Sequence, residues 1–531
     1  MNHPSKAAIA ALALLSACDP FGRDARFEIY LDDMILGADD IAVSGDAVYL
    51  RLSDGKRLER VRAGGSYGEV SLEGAAADRV IPVPGADQDL LVFASWPVCT
   101  DDSDKIVYVS DCNDDDLETR HELTRINGNR RVDATPIGGH LNSLTFSDDG
   151  TLAVAWFDWR EGTDIQVNGI ADLTEVLFVP LDGGDARGVS IGFTPSRILF
   201  THNSAGVDDR AVVLSESKVV VVDLETLAPE VSFPLTQDLD ASVVPLDAVV
   251  SEDGDTVLLS VEGSADLYKL DLLNYSIDVE DLDAQPSHLT NVTIPGDTPT
   301  AATLVAYAGL AQVDLLSHNT WEVLHSIQLE EPVNASILGE GSVLLYSTGQ
   351  SQDVYLLDLS TRNVTEFRTA TPILEMMQSE SDRYAVATLR PGGSNSGSEI
   401  DAFQSDNYGL SVIDLEEGNS ASLVLGAEPV GVALVDDDET TYALLLLDGA
   451  DTLLQVDLRN PTAAIEIDLP APPTAIAAMA DGRFAITHAS ALGLVSFLDP
   501  ATLRIKEAHG FAASTVWTDE ETELPRRSTG N

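Results

Sequence analysis

A short pattern returns along the later two thirds of the chain: an apolar run rich in Val, Leu and Ile ends in Asp, followed by Leu or Pro. Val219-Val220-Val221-Val222-Asp223-Leu224 and Val354-Tyr355-Leu356-Leu357-Asp358-Leu359 are examples. The marker aspartates are Asp223, Asp271, Asp314, Asp358, Asp414, Asp457 and Asp499, spaced 48, 43, 44, 56, 43 and 42 residues apart. The long interval holds a polar insertion, Pro391-Gly392-Gly393-Ser394-Asn395-Ser396-Gly397-Ser398. A second marker precedes the runs. Ser147-Asp148-Asp149-Gly150 and Ser251-Glu252-Asp253-Gly254 read as tight turns, with weaker versions at Ser379-Glu380-Ser381-Asp382 and Ala480-Asp481-Gly482-Arg483. Asp bonds the local backbone in such turns, and Gly accepts positive φ. The unit is a turn, an apolar strand, a second turn, a strand ending at Asp-Leu, and an outer strand such as Ala463–Leu469. A repeat of about 40–50 residues built from short strands predicts an all-β propeller. Helical solenoids of similar period fit poorly, because helical periodicity is scarce.

The SxDG turn and the run ending in Asp-Leu resemble the YVTN and TolB-like propeller repeats of bacterial surface and periplasmic proteins. The segment Ala155-Trp156-Phe157-Asp158-Trp159-Arg160-Glu161-Gly162-Thr163-Asp164-Ile165 is similar to a blade motif of the same group. The resemblance spans roughly residues 140–510 and implies architecture rather than activity. The expectation is a propeller of about eight four-stranded blades, with seven to ten possible, and about eight repeat units are counted over residues 140–511. Residues 27–139 are less regular. Strand-like runs such as Ala47-Val48-Tyr49-Leu50 and Leu90-Leu91-Val92-Phe93 fit one or two further blades there, in one large propeller or two smaller ones. Residues 512–531 read as a polar tail.

The first residues carry an export pattern. Lys6 gives a weakly positive start, Ala7–Leu15 is apolar, and Leu15-Ser16-Ala17-Cys18 follows. An apolar run this short does not span a bilayer. The four residues resemble the bacterial lipobox. That resemblance implies a signal peptide over residues 1–17, a diacylglyceryl or palmitate-type lipid on Cys18, and a tether over 18–26. The expected location is the bacterial cell envelope, anchored to the inner or outer membrane and facing the periplasm or the cell surface. Asp19, next to the cysteine, resembles an inner-membrane retention signal of enteric bacteria.

Lys and Arg number 30 against 88 Asp and Glu, for a net charge of −58 in 531 residues. Such a surface repels nucleic acid and anionic headgroups and attracts cations and basic partners. Disorder is excluded for the bulk, since 44% of residues are hydrophobic and apolar runs recur throughout. After Cys18 the cysteines are Cys99 and Cys112, an even pair that favours a disulfide in an exported protein.

Candidate chemistry is sparse. From Asp111, oxygen-bearing side chains stand at loop positions 1, 3 and 5 (Asp111, Asn113, Asp115), with Glu122 at position 12. The pattern resembles an EF-hand calcium loop, but Asp116 stands where Gly is needed and the flanks read as strands. A simpler calcium site and a solvated acidic loop are the readings that remain. Gly188-Val189-Ser190-Ile191-Gly192 matches GxSxG, although it leads into a strand where the nucleophile elbow needs a helix. His140 and His202 lie near blade starts, where a histidine can face a central channel. No HExxH, P-loop or Rossmann fingerprint occurs, and no catalytic set is legible. The expected role is an envelope propeller that binds a partner protein or small ligand, or acts as a scaffold. A channel-centred hydrolase or lactonase is the rival, and it requires His and carboxylate groups converging in the channel. A calcium-stabilised structural surface protein is the third reading.

Overall fold

Strand Thr256–Val261 is buried along its whole length, as are Tyr384–Leu389 and Thr441–Leu447. A strand buried on both faces needs apolar residues at consecutive positions rather than alternate ones. The unbroken Val and Leu runs of the repeat meet that need. A computed structural model shows what covers the two faces. It describes residues 38–509 apart from short internal stretches, the longest being 108–116, 159–171, 236–242 and 393–402.

Among the described residues the strands form ten antiparallel sheets, each built from strands in chain order. The sheets, or blades, cover residues 38–70, 76–137, 143–190, 197–234, 245–281, 286–328, 335–368, 373–425, 429–468 and 473–509. Blade 2 carries an extra two-residue strand, Ile106–Val107. The fold is thus the expected all-β propeller with four-stranded blades, but with ten blades rather than about eight.

Each of ten apolar clusters joins one blade to the next. Ala302, Leu304 and Leu315 of blade 6 meet Val343, Leu345 and Tyr355 of blade 7. The tenth cluster closes the circle. Val48, Leu50 and Val61 of blade 1 pack on Ala485, Val495 and Phe497 of blade 10. The Ala480 amide also donates to the Gly45 carbonyl at 3.1 Å. One ring therefore forms. Its ends meet through side-chain packing and not by exchange of a strand, because every blade is made from consecutive segments. Each buried Val or Leu contributes about 1.5–3 kcal/mol, so this cluster holds the seam closed.

The turns explain the sequence markers. Asp223 Oδ1 accepts the Thr226 amide at 2.7 Å, and Asp358 Oδ1 accepts the Ser360 and Thr361 amides at 2.8 and 2.9 Å. The marker aspartate thus caps the turn between the third and fourth strands. In five blades the residue four positions later takes positive φ (Leu227, Tyr275, Arg362, Gly418 and Leu503), while after Asp457 that place is held by Pro461. Blade 6 departs from the expected register. Asp314 lies inside its strand and accepts the Tyr307 hydroxyl at 2.5 Å. Ser317 takes the turn role, its Oγ accepting the Asn319 amide at 3.2 Å, with Trp321 at positive φ four residues on. The SxDG turn joins the first and second strands. Ser251 Oγ accepts the Thr256 amide, and Gly254 has φ of 75°. A Cβ on Gly254 would meet the His202 carbonyl oxygen at 2.0 Å, so that turn excludes any other residue.

The first strand of each blade is only half-buried, as in Pro245–Val250 and Pro473–Ala478. It is paired along one edge, and first strands of neighbouring blades lie beside one another around the axis. These inner strands line the channel. Outer strands such as Ser276–Asp281 and Ala464–Asp468 are mostly exposed and carry acidic residues to the rim.

Candidate functional site on the channel wall

Four neighbouring inner strands begin with a linked set of polar side chains. They are Arg197–His202 in blade 4, Pro245–Val250 in blade 5, Pro286–Ile294 in blade 6 and Ala335–Gly339 in blade 7. Arg197 Nη1 donates to Asp247 Oδ1 at 2.9 Å. Asp247 Oδ2 accepts the Leu289 amide at 2.8 Å and lies 3.2 Å from His288 Nδ1. His288 Nε2 is 2.9 Å from Ser336 Oγ and 2.8 Å from Thr290 Oγ1, and the two hydroxyls are 2.7 Å apart. A belt of side chains therefore runs laterally across four blades.

Burial pushes the Asp247 carboxyl up, but hydrogen bonds from His288 and the Leu289 amide, with the Arg197 charge, outweigh it and hold the group below the usual carboxylate range. His288 Nδ1 is the ring nitrogen placed to donate to Asp247, and Nε2 faces the Ser336 and Thr290 hydroxyls.

Further along the same strands the wall opens into a cavity of about 460 Å³. Inner strands of blades 3 to 6 line it, contributing Phe146, Phe200, His202 and Asn291, while the adjoining turns add Asp148 and Glu252. The lining includes two carboxylates and no Lys or Arg. His318 closes one side, 8% exposed and stacked on Trp321 with ring centroids 5.5 Å apart. The Glu252 amide donates to His318 Nδ1 at 3.3 Å, so the ring proton sits on Nε2 and is donated to Thr303 Oγ1 at 2.9 Å. Thr303 in turn donates to Asn291 Oδ1 at 3.1 Å. Burial lowers the His318 pKa and keeps the ring neutral. The cavity wall is thus set by a satisfied polar network.

The residues singled out from the sequence fall elsewhere, with one exception. His202 lines the cavity, its Nε2 2.9 Å from the Glu252 carbonyl oxygen. His140 is 4% exposed, buried between blades 2 and 3. Ser190 ends the exposed outer strand Arg187–Ser190, with its Oγ 2.8 Å from Thr174 Oγ1, so the GxSxG match is not a nucleophile elbow. Cys18, Cys112, Asp111, Asn113 and Asp115 lie outside the described residues, as does most of the Ala155–Ile165 motif. Cys99 lies in strand Asp89–Thr100, which pairs with strand Leu117–Asn127. Glu122 of that second strand is buried. Its Oε2 accepts Arg131 at 2.8 Å and its Oε1 accepts the Thr124 hydroxyl at 2.6 Å. Among the described residues no cluster of three or more His, Cys, Asp or Glu side chains is placed to hold a metal, and no helix is long and apolar enough to cross a membrane.

Arg197, Asp247, His288 and Ser336 were not singled out from sequence. A signal for three of them exists. Pro195-Ser196-Arg197, Pro245-Leu246-Asp247 and Pro286-Ser287-His288 share one repeat position, which is Gly431 and Ala475 in Pro429-Val430-Gly431 and Pro473-Thr474-Ala475.

No protein-family model matches the chain, and no curated protein matches it significantly. Solved structures similar to it include a dihydro-heme d1 dehydrogenase in complex with its ligand, at 12% identity and TM-score 0.40, covering 73% of this chain and 71% of that one. A eukaryotic initiation factor is similar over 88% of this chain and 96% of its own, at 10% identity and TM-score 0.43. Virginiamycin B lyase from Staphylococcus aureus is similar over 54% of this chain and 89% of its own, at 12% identity and TM-score 0.31.

Proposed function

We propose that this protein is a lipid-anchored binding protein of the bacterial cell envelope that takes a small organic cation into the wall of its channel. The observation that carries the reading is the channel cavity lined by Asp148, Glu252, Phe146 and Phe200, with no Lys or Arg among its lining residues. Carboxylates at the mouth attract a cation. Aromatic and aliphatic walls suit its apolar body, since ring faces are electron-rich. The net charge of −58 adds a long-range field of the same sign. The lipobox-like Leu15-Ser16-Ala17-Cys18 supports the anchor.

Calorimetric titration of the mature chain with choline and spermidine tests the binding. Heat of binding that disappears in Glu252→Gln supports the reading. No heat with either cation, and no change in melting temperature, contradicts it. Mass spectrometry of the mature N-terminus tests the anchor. The reading expects a diacylglyceryl adduct on Cys18 that is lost in Cys18→Ala, and an unmodified cysteine removes it.

A further inference from the structure

The belt of blades 5 to 7 has the connectivity of an acyl-transfer triad. We propose that Ser336, His288 and Asp247 form a serine-hydrolase site on the channel wall, acting on small carboxylic esters. This goes beyond the cation-binding reading and does not depend on it.

The geometry supplies each role. Ser336 Oγ is 2.9 Å from His288 Nε2, within reach for proton transfer. His288 Nδ1 is oriented by Asp247 Oδ2 at 3.2 Å, and Asp247 is itself fixed by Arg197 and the Leu289 amide. The carboxylate holds the imidazole in one tautomer and stabilises the imidazolium that forms. Ser336, His288 and Asp247 are only partly buried, so the site opens to the channel. Among the described residues, the channel-side edge of the inner strands in blades 5 to 7 pairs with no other strand. A developing oxyanion would need backbone donors on that edge other than the Leu289 amide, which donates to Asp247.

In the step proposed, Ser336 Oγ attacks the ester carbonyl carbon while His288 Nε2 takes the hydroxyl proton. The carbonyl π pair moves to oxygen, then returns as the C–O bond to the leaving group breaks. His288 passes its proton to the departing alkoxide, which leaves as the alcohol. Water then attacks the acyl-serine with His288 again as base, releasing the carboxylic acid and restoring Ser336. No oxidant or reductant is required. Thr290 also reaches His288, but a secondary hydroxyl on a β-branched carbon is the more hindered nucleophile.

The test uses the mature chain, p-nitrophenyl acetate as substrate and a biotinylated fluorophosphonate as covalent probe. The expected result is ester turnover and a single phosphonylated peptide bearing Ser336. Ser336→Ala and His288→Gln should each reduce kcat/KM at least about 100-fold and abolish labelling, while both variants still fold and melt cooperatively. Asp247→Asn should lower kcat and alter the pH profile, because the His288 tautomer is no longer fixed. Thr290→Val should keep the label. Turnover at the buffer rate with no labelling of the folded wild-type chain overturns the proposal. So does a label on Thr290 or another residue, or activity that survives Ser336→Ala. Choline heat and ester turnover are separate readouts, so either reading can fail while the other stands.

Discussion

The same repeat position carries opposite chemistry in two parts of the ring. Near the start of the inner strand, blades 4, 5 and 6 place Arg197, Asp247 and His288, which are joined by hydrogen bonds and charge. Blades 9 and 10 place Gly431 and Ala475 there. A Cβ on Gly431 would approach Ile476 Cγ2 of blade 10 to 2.9 Å, so that space is filled by the neighbouring blade. In blade 9 the position must be small, whereas in blades 4 to 6 it carries polar side chains that reach one another across the blades. The repeat supplies the scaffold, and chemistry appears where the repeated position diverges.

Breaking the polar side should cost most. Asp247→Ala leaves Arg197 and His288 without their shared acceptor and should destabilise the fold by about 2–3 kcal/mol, read as a lower denaturant midpoint. A change under about 0.5 kcal/mol, the range of an ordinary surface substitution, would mean that the belt adds nothing to the ring. On the apolar side, Gly431→Ala should cost about 1–2 kcal/mol through overpacking against Ile476. A stabilising effect there would show that the blades move apart readily.

Two pH windows distinguish the belt from the cavity wall beside it. Asp247 has a folded pKa below its unfolded value, so its stabilisation is complete above about 3.9 and is lost as pH falls through the folded value. Asp247→Asn should flatten stability in that acidic range. His318 also has a lowered folded pKa, but it is neutral when its partners are satisfied. Below about 6.5 the unfolded chain takes the proton that the folded chain resists, so stability declines as pH falls from there to the folded value. His318→Gln should remove that decline, measured by melting temperature between about pH 7 and 5. The smallest effect belongs to Ala475→Ser, expected within about 0.5 kcal/mol at a half-exposed position.

The turns and the doubly buried strands were readable from the sequence. Asp223 and Asp358 mark real caps, and Ser251 and Gly254 mark a real turn, because each of these is a local interaction between residues a few positions apart. Asp314 misled because Ser317 does the same work three residues later, and a hydroxyl caps a turn as a carboxylate does. The blade total was underestimated because the markers are weak before His140, where strands such as Ala38–Ser44 and Ala76–Pro82 lack the Asp-Leu ending. For the belt, a shared repeat position marks Arg197, Asp247 and His288, but nothing in the sequence shows that they touch. Its contacts join residues about 40–50 positions apart, and lateral neighbours in a ring are set by closure rather than by any local pattern.

The most direct test of cation binding on the channel wall is amide hydrogen exchange of the mature chain with and without choline. Inner-strand amides on the channel edge that lack strand partners exchange readily, so they report occupancy there. Binding at the cavity predicts slowed exchange in Arg197–His202, Pro245–Val250 and Pro286–Ile294, with no change in Pro429–Asp436 or Pro473–Ala478. Equal protection around the ring, protection confined to blades 9 and 10, or none anywhere would contradict it.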